Sequence, residues 1–123
     1  MSGHRLFVDT NILLYYLHGE REIIDIIGDK EVAISFITEL ELLCYPANNQ
    51  ESKEIINGLL SSCLIVDMNQ AIKDLTVEFR KQSRLKLPDS IIAATSSYLK
   101  LPLLTADKQF RMIKGIEIIL YEL

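Results

Sequence analysis

Asp9, Glu41, Asp89 and Asp107 are the residues whose types and placement point to chemistry. Each stands where an apolar segment gives way to a polar one, or where a helix is expected to begin. Carboxylates brought together raise one another's pKa values and destabilise a fold unless a cation neutralises them. Hard divalent ions do this, because Mg²⁺ and Mn²⁺ prefer oxygen ligands and accept a site shared between carboxylate, water and phosphate. Other chemistries lack their parts. His4 and His18 have no second His or Cys at ligand spacing, which leaves a zinc site or a His-driven triad with little to build on; they read as exposed or capping side chains. Cys44 and Cys63 lie far apart without a C-x-x-C, and read as small buried hydrophobes. The 5 glycines form neither a dinucleotide fingerprint nor a P-loop.

The elements that would position these acids follow from hydrophobic patterning. Arg5 to Val8 reads as a buried strand running directly into Asp9-Thr10-Asn11. Helical pattern covers Ile12 to Leu17 and Glu20 to Ile27, with Gly28 placed to stop the second helix. Val32 to Ser35 reads as a second strand, followed by a helix that Thr38 is expected to cap and Pro46 to end. After Asn49 another helix presents Ile55, Ile56, Leu59 and Leu60 on one face; Leu64 to Val66 is a third strand and Ala71 to Arg84 an amphipathic helix. Pro88 suits the first turn of a helix from about Asp89 to Leu99, where Ala93, Ala94, Ser96 and Ser97 allow close approach to a sheet. Leu103-Leu104 is a fourth strand leading to Thr105 and Asp107, a short helix follows near Lys108 to Lys114, and Ile116 to Leu120 is a last apolar strand.

Short buried strands alternating with helices predict a three-layer α/β/α sandwich around a central parallel sheet of four to five strands, with residues 1–123 as a single domain. Such sheets place ligands beyond the carboxyl ends of the strands. All four acids are expected at that edge.

Composition is that of an ordinary globular chain, at 49% apolar and 24% charged, which excludes collagen-like and disordered classes. The longest apolar run, Ile12 to Leu17, is far short of the roughly 18 residues that span a membrane, and no signal-peptide pattern opens the chain, so a cytoplasmic location is expected. The net charge of −4 argues at first against a polyanionic partner. Setting aside four acids as metal ligands balances the remainder, 13 against 13.

Each acid also has an ordinary structural reading. Thr38-x-x-Glu41 fits a capping box, Asp89 beside Pro88 is a favourable first-turn charge, and Asp9 and Asp107 suit the caps of the helices that follow them. Their common position on one edge favours a shared site.

Four segments in order, Phe7-Val8-Asp9-Thr10-Asn11-Ile12, Ile34 to Leu42, Leu87-Pro88-Asp89 to Thr95 and Leu104-Thr105-Ala106-Asp107 to Phe110, resemble the motifs of the PIN-domain family, in particular its VapC-like toxin ribonucleases. The resemblance runs from residue 6 to about residue 120. It implies an endoribonuclease dependent on Mg²⁺ or Mn²⁺, commonly a homodimer silenced by a cognate antitoxin. Carried over by position, it makes Asp9, Glu41, Asp89 and Asp107 the catalytic and metal-ligating residues, with Asn11 and Thr105 as supporting polar groups. Asp9 and Asp89 would hold the metal, Asp107 would complete its shell or help to hold a second ion, and Glu41 would position the attacking water. Glu39 also precedes a leucine; Glu41 is preferred because the step from Ile37-Thr38 matches and the two side chains would point about 200° apart on a helix.

Basic residues flank two of the acids: Arg80, Lys81, Arg84 and Lys86 precede Asp89, while Lys108, Arg111 and Lys114 follow Asp107. Among these, Arg84, Lys86 and Lys108 are possible phosphate contacts, against the plain reading of a solvated helix face. Tyr15-Tyr16 reads as packing rather than as a base-stacking platform. One rival is a non-catalytic PIN-like domain that binds RNA or a protein partner. Another is a phospho-receiver-like domain using Asp9, Asp67 and Thr105, and a haloacid-dehalogenase-type phosphatase is a third, needing an Asp where this chain has Asn11.

Overall fold

The computed structural model describes residues 4–46 and 48–122, so residues 1–3, 47 and 123 of the expected 1–123 unit lie outside the described residues. Five strands, β1 (Arg5–Val8), β2 (Glu31–Ser35), β3 (Leu64–Val66), β4 (Leu103–Thr105) and β5 (Ile118–Leu120), form one sheet in the order β3-β2-β1-β4-β5. Every pairing is parallel. The connections carry six helices: α1 (Thr10–Leu17) and α2 (Arg21–Ile27), α3 (Phe36–Leu43) and α4 (Gln50–Ser61), α5 (Gln70–Gln82) and α6 (Leu87–Leu99). A 3₁₀ turn, Lys108–Met112, stands where a short helix is expected before β5.

Alternation along the strands divides the core into two apolar layers. Leu6, Val8, Ile34 and Leu104 face one side, where they pack with Ile12, Leu13, Ile23, Ile27, Ile56 and Leu60 of α1, α2 and α4. Phe7, Ala33 and Leu103 face the other, against Ile72 and Phe79 of α5, Ile92, Ala93 and Ala94 of α6, and Phe110. Both faces are covered, giving the three-layer sandwich that the short apolar strands predict. The small residues of α6 do what their size suggests: Ser90 to Ser96 are all buried, and the hydroxyls of Thr95 and Ser96 are satisfied by Ile91 O at 2.7 Å and Leu101 O at 2.8 Å.

Strand order also decides between architectures. The crossovers step outward from β1 to β2 and β3, then return to β4 on the opposite side of β1. A receiver-type sheet has the order 2-1-3-4-5, so the phospho-receiver reading is set aside on topology. The direction of winding reverses between β1 and β4, which puts the ligand crevice at the carboxyl ends of those two strands.

Several local expectations are corrected. Thr38 does not cap α3: the N-cap is Ser35, whose hydroxyl accepts from the Ile37 N–H at 3.0 Å, and Thr38 lies fully buried inside the helix. The capping-box reading of Thr38-x-x-Glu41 fails with it, because helical geometry begins three residues earlier. Helix α6 opens at Leu87, with Pro88 within its first turn and Asp89 in that same turn. Strand β5 starts at Ile118 rather than Ile116. Cys44 is exposed at the end of α3 rather than buried, while Cys63 is half-buried. His18 is exposed at the end of α1, where Tyr45 Oη lies 3.3 Å from its Nε2. Tyr15 packs against the first core layer, its ring centroid 6.1 Å from that of Tyr121.

Candidate active site

β1 ends at Val8 and the chain turns at once into α1, which makes Asp9 the N-cap. Its Oδ1 accepts from the Thr10 N–H at 2.8 Å, and its backbone N–H is held by Leu104 O of the neighbouring strand at 3.0 Å. Its Oδ2 accepts from the hydroxyl of Thr105, the last residue of β4, at 2.7 Å. The Thr105 oxygen in turn accepts from the Asp107 N–H at 3.0 Å. One buried threonine therefore fixes the carboxylate after β1 and the backbone of the acid after β4. Asp107 caps the 3₁₀ turn, its Oδ1 accepting from the Gln109 N–H at 2.9 Å. The capping readings of Asp9 and Asp107 are both met, and each cap points its carboxylate into the same space.

That space is a cleft of about 260 Å³ lined by Asp9, Thr10, Asn11, Leu14, Glu41, Asp89 and Asp107. Four acids from widely separated stretches of sequence meet there, with Asn11 exposed at their side. Glu41 reaches the cleft from α3, where its Oε1 lies 2.6 Å from the Thr10 hydroxyl. Thr105 sits behind the lining and meets it through its hydrogen bond to Asp9. Glu39 is absent from the lining, as expected for a side chain on the opposite side of α3. Asp67, exposed after β3, is also absent from it.

Electrostatics follow from this arrangement. Burial pushes the Asp9 carboxyl up to about 6; hydrogen bonds from Thr105 and Thr10 pull it down, and the charges of Asp89 and Asp107 push it up further. Half-buried Asp89 is also raised, chiefly by burial, then by the fields of Asp107 and Glu41, with Lys86 opposing. Among the described residues, the ion pairs are Arg5 with Glu31, Lys30 with Asp29 and Arg111 with Glu122, and none involves the four acids. The cleft thus has the negative donor set that suits a hard divalent cation. Among the described residues, no three His, Cys, Asp or Glu side chains stand close enough together to ligate one ion by themselves.

Arg84, Lys86 and Lys108 are exposed and outside the lining; of the three, Lys86 acts on the site through its charge near Asp89. Arg80 is committed elsewhere, its guanidinium donating to Leu85 O in the turn before α6. A larger depression of about 370 Å³ between α3 and α4 is lined by Leu42, Leu43, Tyr45, Lys53, Ile56 and Asn57; it contains no carboxylate and offers no comparable donor set. Sequence reasoning did not assign Thr10 or give Thr38 its contact. The signal present was the three-residue step from Thr38 to Glu41, which places both on one face of a helix.

The family described as "PIN domain" matches residues 6–116. Ribonuclease VapC2 from Methanocaldococcus jannaschii is 25% identical over 142 aligned positions, spanning 97% of this chain and 95% of that protein. A toxin-antitoxin complex from Klebsiella pneumoniae contains a chain 33% identical, with a TM-score of 0.84 over 96% of this chain and 99% of that one. VapBC2 from Rickettsia felis, bound to a DNA fragment of its promoter, shares the fold at 18% identity, with a TM-score of 0.83 over 96% of this chain and 99% of that one. With the matched segment covering all four acids, the chain belongs to the PIN-domain family.

Proposed function

We propose that the chain, read as one domain over residues 1–123, is a ribonuclease that hydrolyses RNA phosphodiester bonds with a divalent ion, Mg²⁺ or Mn²⁺, and is the toxin of a toxin-antitoxin pair. The observation that carries the reading is the meeting of Asp9, Glu41, Asp89 and Asp107 in one cleft at the point where the sheet winding reverses. A ribonuclease and a toxin-antitoxin complex among its relatives support RNA as substrate and a cognate antitoxin as partner. Among the described residues, no helix is long and apolar enough to cross a membrane. A cytoplasmic location, where RNA is met, belongs to the same proposal.

Asp9 and Asp89 would hold the ion directly, with Asp107 completing its shell through coordinated water or helping to hold a second. When bound, such an ion supplies a lowered pKa for coordinated water and neutralises charge that develops on the phosphate. The chain supplies the rest. Thr105 and the Thr10 N–H keep Asp9 oriented and offset part of its burial penalty. Glu41, with Oε1 held by Thr10, has Oε2 to orient the attacking water and accept its proton. Asn11, in the lining, would offer a neutral donor to a phosphate oxygen, while Arg84, Lys86 and Lys108, exposed outside the lining, are the candidate phosphate contacts. No side-chain nucleophile is required, in keeping with a cleft whose lining contains no His or Cys.

Incubation of the purified protein with structured RNAs tests the proposal. Cleavage that needs Mn²⁺ or Mg²⁺, stops in excess chelator and is lost in Asp9→Asn and Asp89→Asn supports it. Full activity in both variants defeats it, and RNA binding without cleavage would assign the domain to the non-catalytic alternative.

A further inference from the structure

Thr38 is fully buried in the middle of α3, yet it carries a hydroxyl. A hydroxyl taken out of water must find a partner, and the partner here is the Thr10 hydroxyl, 2.9 Å away on α1. Thr10 Oγ1 is also 2.6 Å from Glu41 Oε1. A threonine hydroxyl has one proton, and a carboxylate can only accept. The Thr10 proton therefore goes to Glu41, and the Thr38 proton goes to Thr10, which fixes the direction of the chain from buried to exposed: Thr38 to Thr10 to Glu41.

From this we infer that Thr10 is a positioning residue. It holds the exposed Glu41 carboxylate over the cleft, and its own hydroxyl is oriented by Thr38. The inference rests on the reading of Glu41 as the group that orients the attacking water. A glutamate at an exposed helical position samples several rotamers, and without an anchor the catalytic one would be a minority. Thr10 is well placed to select it, because its backbone is fixed at the first position of α1 by the same turn that fixes Asp9. A threonine pair thus couples Glu41 to the element that carries Asp9.

Thr10→Val, Thr10→Ser and Thr38→Val, each alone and with Glu41→Ala, test the inference by kinetics and by crystal structures of the metal-free proteins. Thr10→Val should lower kcat roughly ten- to a hundredfold, the range for losing one hydrogen bond to a charged group, with KM for RNA changed less than about threefold. Thr10→Ser keeps the hydroxyl and should recover most of the rate, and Thr38→Val should fall between the two. In the Glu41→Ala background, Thr10→Val should cost less than about twofold, because the group it positions is gone. Losses that multiply fully in the double variant would mark a purely structural role and overturn the inference. The crystals give a readout independent of catalysis: the Glu41 carboxylate should leave its place in Thr10→Val and keep it in Thr10→Ser. An unmoved Glu41 in Thr10→Val overturns the inference. Should the wild-type protein cleave no RNA, the ribonuclease reading fails on that arm, and the position of Glu41 in the crystals still decides whether Thr10 holds it.

Discussion

Thr105 donates its hydroxyl proton to Asp9 Oδ2 across 2.7 Å, joining two residues separated by 96 positions in the chain. The contact exists because β1 and β4 are parallel, hydrogen-bonded neighbours at the centre of the sheet, so their carboxyl ends open onto the same crevice. Removing the donor with the nearly isosteric Thr105→Val leaves Asp9 Oδ2 buried without that partner. We expect a loss of about 1.5–3 kcal/mol in the interaction, read as an activity reduced roughly ten- to a hundredfold. Because the Thr105 bond lowers the Asp9 pKa, its removal should also shift the acid limb of the activity profile to higher pH, measured by cleavage rates between pH 5 and 8 (about the window in which a carboxyl near 6 titrates).

Asp9 makes the metal-free protein less stable at neutral pH. The folded carboxyl keeps its proton up to about pH 6, whereas an unfolded one loses it near 3.8, so between these values the folded state binds the extra proton. Unfolding free energy therefore falls as pH rises through that window and stays low above it. Asp9→Asn, which cannot ionise, should be more stable than the wild type at pH 7 by on the order of 2–3 kcal/mol. The difference should shrink toward zero as pH falls through the window. Thermal denaturation of both proteins in chelator across that range measures this directly.

Added Mn²⁺ should close this gap and, at high excess, reverse the ranking. Binding to the folded state alone raises stability by mass action, by about 2.7 kcal/mol at a hundredfold excess over Kd and about 4.1 kcal/mol at a thousandfold excess. Wild-type melting temperature should rise with Mn²⁺, and that of Asp9→Asn should rise much less. Calorimetric scans at several Mn²⁺ concentrations test the difference.

Glu39 and Glu41 should separate cleanly. Glu41 lines the cleft and Glu39 does not, although each precedes a leucine. Glu41→Gln should reduce cleavage about a hundredfold or more, as expected for loss of a proton acceptor, and Glu39→Gln should stay within about twofold. Rates on one RNA under saturating metal check both.

Lys86 should show itself through salt and pH. Its charge opposes the upward shift of Asp89, so Lys86→Gln should raise the Asp89 pKa further and cut activity most on the acid side. If Lys86 also meets the RNA backbone, KM should rise and lose part of its dependence on salt. Kinetics at two ionic strengths and two pH values separate these effects.

The sheet and the four acids were legible because they rest on strong local signals. β-branched and leucine runs such as Leu6-Phe7-Val8 and Val32-Ala33-Ile34, short, apolar and alternating with helical segments, read as buried parallel strands, and Asp9 and Asp107 come directly or almost directly after such runs. What escaped was set by tertiary contact. Ser35 and Thr38 are both plausible caps from composition, and only the packing of α3 against α1 shows that Thr38 is buried beside Thr10. The order of strands β4 and β5 around β1 is likewise a long-range property, and so is the bond between Thr105 and Asp9 that depends on it. Exposure of Cys44 comes from its place at the end of α3, which residue type alone does not report.

The central claim is that these acids act together on one divalent ion, and titration calorimetry of Mn²⁺ into the metal-free protein at pH 7 tests it most directly. Saturable binding by the wild type is expected, with loss of that binding in the Asp9→Asn/Asp89→Asn double variant; proton release from the Asp9 carboxyl should be slight at pH 7 and grow as the titration is repeated toward pH 6. Equal affinity and stoichiometry in the two proteins would contradict it.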